Sequence, residues 1–337
     1  MNINPTNNAA ADSALTKVLP LFTAVDVPIW GPSEEEIDPP IWEVSEKETD
    51  LSMPGGGLSR FPMLYIGEGC NKMFLINEGK VAWTFSSGTG WEYDDIWLMT
   101  NGNIVFSRQT WAGEVTPGKE LVWRLDCVGD DEIHAIQPIG LDKVLIIVNS
   151  FPPILKIINK GTGEIEVQKE LPYDPEAGIH AQFRRGRMTA QGTFLIPFLT
   201  LGKVVEYDRN WNEIWSYQIK SPWAAVRLHN GNTLITGEHD QVTREVNSNG
   251  ETIWEIYLSD LPEKYRLHDS QSCVRLANGN TILCSRGNGG KSPQLVEVTP
   301  SKEVVWVIND WKNLGPATAV QILSEAGIPE VPGECQR

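Results

Sequence analysis

Residues 230–235 read NGNTLI, and near-copies stand at 278–283 (NGNTIL) and 101–106 (NGNIVF). Asn-Gly tolerates positive φ at both central turn positions, so each copy predicts a two-residue turn joining two right-twisted strands. A hairpin phrase written three times points to a repeated unit. A second phrase follows each turn: AGEVTPGKELVWRL, VVEYDRNWNEIWSY, TREVNSNGETIWEI and LVEVTPSKEVVWVI. Each reads as a strand, a short turn and a strand ending in Trp. Trp83, Trp123, Trp215, Trp254 and Trp306, with Val167 in the remaining slot, recur at the ~40–50-residue period of a four-stranded propeller blade.

The inner strands are read as YDDIWLM, IHAIQPI, FRRGRMT, SPWAAVRL and SQSCVRL. The first unit has three strands and no inner one, whereas GPATAVQILS near the C-terminus looks like an inner strand with nothing after it. Joining the two predicts an all-β, six-bladed propeller of four-stranded blades, closed when the C-terminal strand completes the first blade. A seventh blade built from IWEVS is the alternative, and its acidic, Pro-rich surroundings argue against it. The domain expectation is an acidic arm over 1–57, the propeller over 58–325 and a tail over 326–337.

Net charge is -16, and residues 1–57 hold ten Asp and Glu against two Lys. That balance repels phosphate backbones and excludes nucleic acid as the expected partner. No apolar run reaches the ~18 residues of a membrane span. The first residues lack a basic segment followed by an apolar one, so a cytoplasmic protein is expected by default, or a secreted or periplasmic one if a signal has been removed. The five Cys lack CxxC spacing, so neither a zinc site nor a disulfide framework is expected, and no metal set is read from spacing. If Asn278-Gly279 is a two-residue turn, Cys273 and Cys284 lie opposite each other, as buried thiols or a bonded pair.

With EVTPGKELVWRL, EVTPSKEVVWVI and NGNTLI in hand, the chain resembles the bacterial quinoprotein-like and arylsulfotransferase-like β-propellers over most of residues 60–325. The resemblance implies a propeller scaffold and, on the sulfotransferase side, a catalytic His in the central funnel. The adjacent Cys pair of pyrroloquinoline quinone enzymes is missing here, which argues against that cofactor and leaves the cofactor open.

Registering the blades on their turns places Asp94, His134, Arg184, Trp223, Gln271 and Ala317 at one position early in the inner strand. Asp95, Ala135, Arg185, Ala224, Ser272 and Thr318 follow at the next. At the end of the second strand, on the same rim, come Gln109, Asn149, Leu199, Glu238 and Arg286, with Arg108 and His239 adjacent. Scaffold positions repeat while rim positions diverge into polar types, which predicts a polar pocket at one mouth of the channel. His134 and His180 are the candidate acid–base residues. Asp94, Asp95, Arg108, Arg184, Arg185, Trp223, His239, His268, Gln271 and Arg286 are the candidate substrate-binding residues.

The stretch GIHAQFRRGRMT either forms internal salt bridges, with Asp94, Asp95 and Glu238 available, or receives an anion. Two functions follow. One is an enzyme on an anionic carbohydrate or similar small anion, of lyase, hydrolase or sulfotransferase type. The other is a non-catalytic propeller binding a glycan, peptide or protein partner. RGNGGKS at 286–292 ends like a phosphate-binding loop but has Ser285 where the first Gly belongs, and it precedes a strand.

Overall fold

The computed structural model describes residues 13–22, 53–66, 72–86, 92–288, 290–311 and 314–337. Six four-stranded antiparallel sheets form the blades of a propeller. Blade 1 takes its inner strand, Ala319–Ile322, from the end of the chain and pairs it with Met63–Ile66 in the register Met63↔Ile322 and Leu64↔Gln321. Gln321 also bridges to the neighbouring blade: its Oε1 accepts from Leu98 N at 2.7 Å and its Nε2 donates to Leu98 O at 3.2 Å. The inner strands of the next five blades are Asp95–Leu98, Glu132–Ile139, Arg187–Met188, Pro222–Arg227 and Cys273–Arg275. IWEVS lies outside the described residues, as does most of 1–57. Of that stretch, residues 13–22 pack onto the ring, with Leu15, Val18 and Phe22 buried among side chains of blades 1 and 2.

Burial falls outward along each blade. Asp95–Leu98 is buried throughout, whereas the outer strand Leu121–Asp126 alternates between half-buried and exposed. Inner strands pack on both faces and outer strands on one, so the former are apolar runs and the latter alternate.

The two repeated phrases turn out to be halves of one lock. Asn103, Asn232 and Asn280, the last letters of each NGN, donate from Nδ2 to Glu114, Glu245 and Glu297 at 2.6, 2.7 and 2.6 Å. A cation from elsewhere in the ring closes each lock: Lys160 on Glu114, Arg275 on Glu245 and Arg60 on Glu297. The repeated Trp ties one blade to the next. Nε1 of Trp83 donates to Pro117 O and Nε1 of Trp254 to Pro300 O, both at 2.9 Å, which is why TPGK and TPSK turns accompany the Trp.

The turns differ from expectation by one residue. Met99 N donates to Asn103 O and Gly102 N to Met99 O, so the loop has three residues and only its Gly, at φ 88°, is left-handed. The Asn caps the loop with its side chain, accepting from Asn103 N at 3.0 Å. In blade 6 the same geometry pairs Cys273 with Leu283 rather than Cys284. Cys273 and Cys284 therefore face opposite sides of the sheet, and both are free thiols. Burial pushes Cys273 up to about 12 and Cys284 to about 11, which leaves them inert as nucleophiles.

The chain after blade 1 crosses the turn end of the ring. Gly140 N donates to Glu330 O, Arg275 N to Gln336 O, and Thr100 N to Glu330 Oε1. The Arg337 side chain is buried over the Trp97 ring at 4.3 Å.

Candidate active site at the channel mouth

The position that differs from blade to blade is a point of irregular pairing. The inner strand of blade 3 shifts register between Ile133 and Ala135, and that of blade 5 between Pro222 and Ala224. The extra residues, His134 and Trp223, are thereby re-aimed from the sheet toward the mouth, a common use of bulges beside active sites.

His134 is buried and its ring meets a carboxylate at each nitrogen: Asp94 Oδ1 lies 2.8 Å from Nδ1 and Glu132 Oε2 lies 2.7 Å from Nε2. The same Glu132 oxygen is 2.9 Å from Nδ1 of His180, whose side chain is 47% exposed. Oε1 of Glu132 accepts from Gln109 Nε2 at 2.6 Å. Glu132 is thus surrounded by donors and joins a buried imidazole to an accessible one. The ring centroids stand 4.9 Å apart, edge to face. Glu92 lies against both, its Oε1 being 3.6 Å from His134 Nδ1 and 3.8 Å from His180 Nε2.

Burial alone would raise the Glu132 carboxyl, but hydrogen bonds from His134 and His180 hold it well below the usual carboxylate range. Burial, followed by the Arg184 guanidinium, lowers His134, with Glu132 and Glu92 opposing. A neutral imidazole has one N–H and cannot donate to two carboxylates. The pocket around His134 therefore requires one positive charge more than a neutral ring supplies, whether a proton or another cation.

Arg184 links this group to the other half of the mouth. Its Nη1 donates to the backbone carbonyls of His180 and of Phe183, the latter at 3.0 Å, and its guanidinium lies 4.7 Å from the Trp223 ring centre. Its Nε has no hydrogen-bond partner among the described residues. Arg286 covers Trp223 at 6.0 Å and pairs with Glu238 at 2.7 Å and Asp269 at 3.0 Å. Burial raises Glu238, with Arg286 opposing. Trp223 is buried between the two guanidiniums and is not an open stacking platform.

Of the sequence-nominated residues, Asp94, His134, His180, Arg184, Trp223 and Arg286 converge at this mouth. Asp95 and Arg185 sit in the buried channel wall. Arg187 Nη1 meets Asp95 Oδ2 at 2.8 Å, Arg185 and Arg337 stand 3.7 and 3.6 Å from Oδ1, and Arg185 also donates to Asp94 O and Thr318 O. Arg108 lies buried over the Tyr93 ring at 5.2 Å. Gln271 is buried, its carbonyl accepting from Thr236 Oγ1. His239 is exposed beside Ser221 Oγ at 2.7 Å, and His268 is exposed.

Glu92, Glu132 and Asp269 were not nominated. Glu132 had a readable signal, since it stands two residues before His134 in DDEIHAIQ. Glu92 and Asp269 lie just ahead of inner strands, where the turn register does not reach.

No protein-family model and no curated protein matches the sequence. Among solved structures the chain is similar to a protein of unknown function from Bacteroides caccae, with a TM-score of 0.68, 23% identity, and coverage of 77% of this chain and 97% of that one. It is also similar to a catalytically inactive histidine-to-alanine form of virginiamycin B lyase from Staphylococcus aureus with quinupristin, at TM-score 0.56, 12% identity and coverage of 77% and 89%. The WD40 propeller domain of Doa1 follows at TM-score 0.50, 15% identity and coverage of 69% and 73%. At these identities the likeness is one of fold, a β-propeller. No helix among the described residues is long and apolar enough to cross a membrane.

Proposed function

We propose that the protein is an enzyme that carries out proton-transfer chemistry of lyase type at the channel mouth. The observation that carries this reading is the His134–Glu132–His180 chain, in which one carboxylate orients two imidazoles and only His180 reaches solvent. Donation of the Nδ1 proton to Glu132 leaves Nε2 of His180 as a base directed at the mouth. In an elimination, Nε2 takes the proton from a carbon next to a carbonyl, and the bond to the leaving oxygen breaks with its electron pair. The Arg184 guanidinium, which donates to the His180 carbonyl and lies beside the Trp223 ring, supplies positive potential behind the carbonyl oxygen on which charge develops. Glu132 and His134 act as positioning residues behind His180.

Two facts bear on the substrate. Arg185, Arg187 and Arg286 are engaged by Asp95, Glu238 and Asp269, and Glu92, Asp94, Glu132, Glu238 and Asp269 outnumber Arg184 and Arg286 at the mouth. These facts favour a neutral or cationic molecule with a single carbonyl for Arg184 over a polyanionic carbohydrate. The neighbour named as a lyase lost activity with one histidine, which supports the assignment by analogy of fold.

The test is turnover of a panel of esters and lactones, quinupristin included, alongside uronate-containing oligosaccharides. Turnover that drops at least ~100-fold in His180→Ala supports the reading; turnover unchanged in His180→Ala would falsify it.

A further inference from the structure

We propose that Glu92, His134 and His180 bind a divalent first-row metal ion of the zinc type at the mouth. The inference deepens the functional reading above and rests on it for the location of the working site. Glu92 precedes the inner strand of blade 2, His134 is the bulge residue of blade 3, and His180 lies in the loop before blade 4. Each offers one ligand atom, and these atoms all lie within 4.8 Å of one another. Glu92 Oε1 is 3.6 Å from His134 Nδ1 and 3.8 Å from His180 Nε2. Ligands on a tetrahedral ion with ~2.1 Å bonds stand about 3.4 Å apart, so the two Glu92 distances need only a few tenths of an ångström of closure, and the imidazole pair, inside the 4.8 Å span, needs at most about 1.4 Å, which the exposed His180 can supply.

Which lone pairs converge matters more than the spacing. Glu132 Oε2 lies 2.7 Å from Nε2 of His134 and 2.9 Å from Nδ1 of His180. As the common acceptor it fixes the proton of each ring on the nitrogen facing it. Of the two remaining lone pairs, Nε2 of His180 faces Glu92 at 3.8 Å, and Nδ1 of His134 stands between Asp94 Oδ1 at 2.8 Å and Glu92 Oε1 at 3.6 Å, where an ion would sit between the ring and carboxylate oxygens. A carboxylate holding the far nitrogen of a ligating His is the usual support of a metal site. Glu132 itself is not a ligand, since its other oxygen is taken by Gln109.

The ion also supplies the positive charge that the two carboxylates flanking His134 demand. Imidazole ligands select zinc-type ions over Mg²⁺ or Ca²⁺, and three protein ligands with a solvent-facing side leave a position for water, as in catalytic sites. With an ion bound, Nε2 of His180 would be its ligand rather than the base, and the ion would supply Lewis-acid activation at the mouth.

Zn²⁺ titration of the full, chelator-stripped chain by calorimetry, with Co²⁺ absorption as a second readout, tests the proposal. The expected result is one ion per chain, with affinity reduced at least ~10-fold in His180→Ala, Glu92→Gln and Glu132→Gln. His229→Ala, with its ring on the turn face against Glu334 O, should bind as the parent does. Circular dichroism of the variants separates loss of ligand from loss of fold, and His180, being exposed, is the variant least able to disturb it. Absence of saturable binding, or binding that survives both His180→Ala and Glu92→Gln, overturns the site. An ion bound as expected in a chain inactive on every substrate upholds the site and counts against the enzyme.

Discussion

The two ends of the ring are built on opposite principles. At the turn end, one solution is repeated: an Asn donates to a buried Glu and a cation completes the pair, as with Asn232, Glu245 and Arg275. At the mouth no two blades place the same residue, and His134, Arg184 and Trp223 occupy equivalent positions in successive blades. Blades 2, 5 and 6 solve the same packing problem alike, and blade 4 varies it only by placing Thr193 on Glu206, with Arg227 as the cation. A site is a single arrangement around one axis, so its blades must contribute different groups. Repetition therefore marks the parts that hold the ring, and divergence marks the part that can act.

Substitutions at the two ends should separate along that line. The largest effect is expected from removing residues 314–325. That deletion takes away the Ala319–Ile322 strand and opens the ring to a free sheet edge; cooperative thermal unfolding should vanish, and a sharp parental transition would mean the ring is closed some other way.

Asp95→Asn comes next, because it leaves Arg187 and its neighbours buried without a counter-charge. About 3–5 kcal/mol should be lost in a urea melt. Burial alone would raise the Asp95 carboxyl, but Arg187, Arg185 and Arg337 hold it below its ordinary value. Its contribution is therefore present above the unfolded value of about 3.9 and is lost as pH falls below it. A parent–variant stability gap that fails to narrow on acidification toward the folded-state pKa would show that the pair is not the source.

Glu245→Ala, at the turn end, should cost about 3 kcal/mol, since Arg275 and two Asn side chains lose their acceptor. At the mouth, Glu92→Gln should stay within about 0.5 kcal/mol of the parent, because it removes one of several like charges. A loss as large as that of Glu245→Ala would make Glu92 part of the frame.

The fold was legible because its cues are local and recur: a Gly that must be left-handed, an Asn that caps, and a Trp placed to reach the next turn. The offset of one residue in the turns was invisible, since Asn-Gly serves two- and three-residue loops alike, and it moved Cys284 to the other face from Cys273. The mouth was legible in part. The register located His134, Arg184 and Trp223, and the bulge that re-aims two of them falls at the position where the blades differ. Side-chain partners could not be read the same way. Arg185 and Arg286 look alike as anion receptors in sequence, and only three-dimensional contacts with Asp95, Glu238 and Asp269 show both engaged. Glu92 was missed because its partners stand 42 and 88 residues away in the chain.

The most direct test of the division between frame and site is the unfolding free energy of the Glu92→Gln, His180→Ala double variant measured beside Glu245→Ala. Stability of the double variant within about 1 kcal/mol of the parent, with Glu245→Ala clearly lower, is the predicted result. A double variant as unstable as Glu245→Ala would contradict it and make the mouth residues structural.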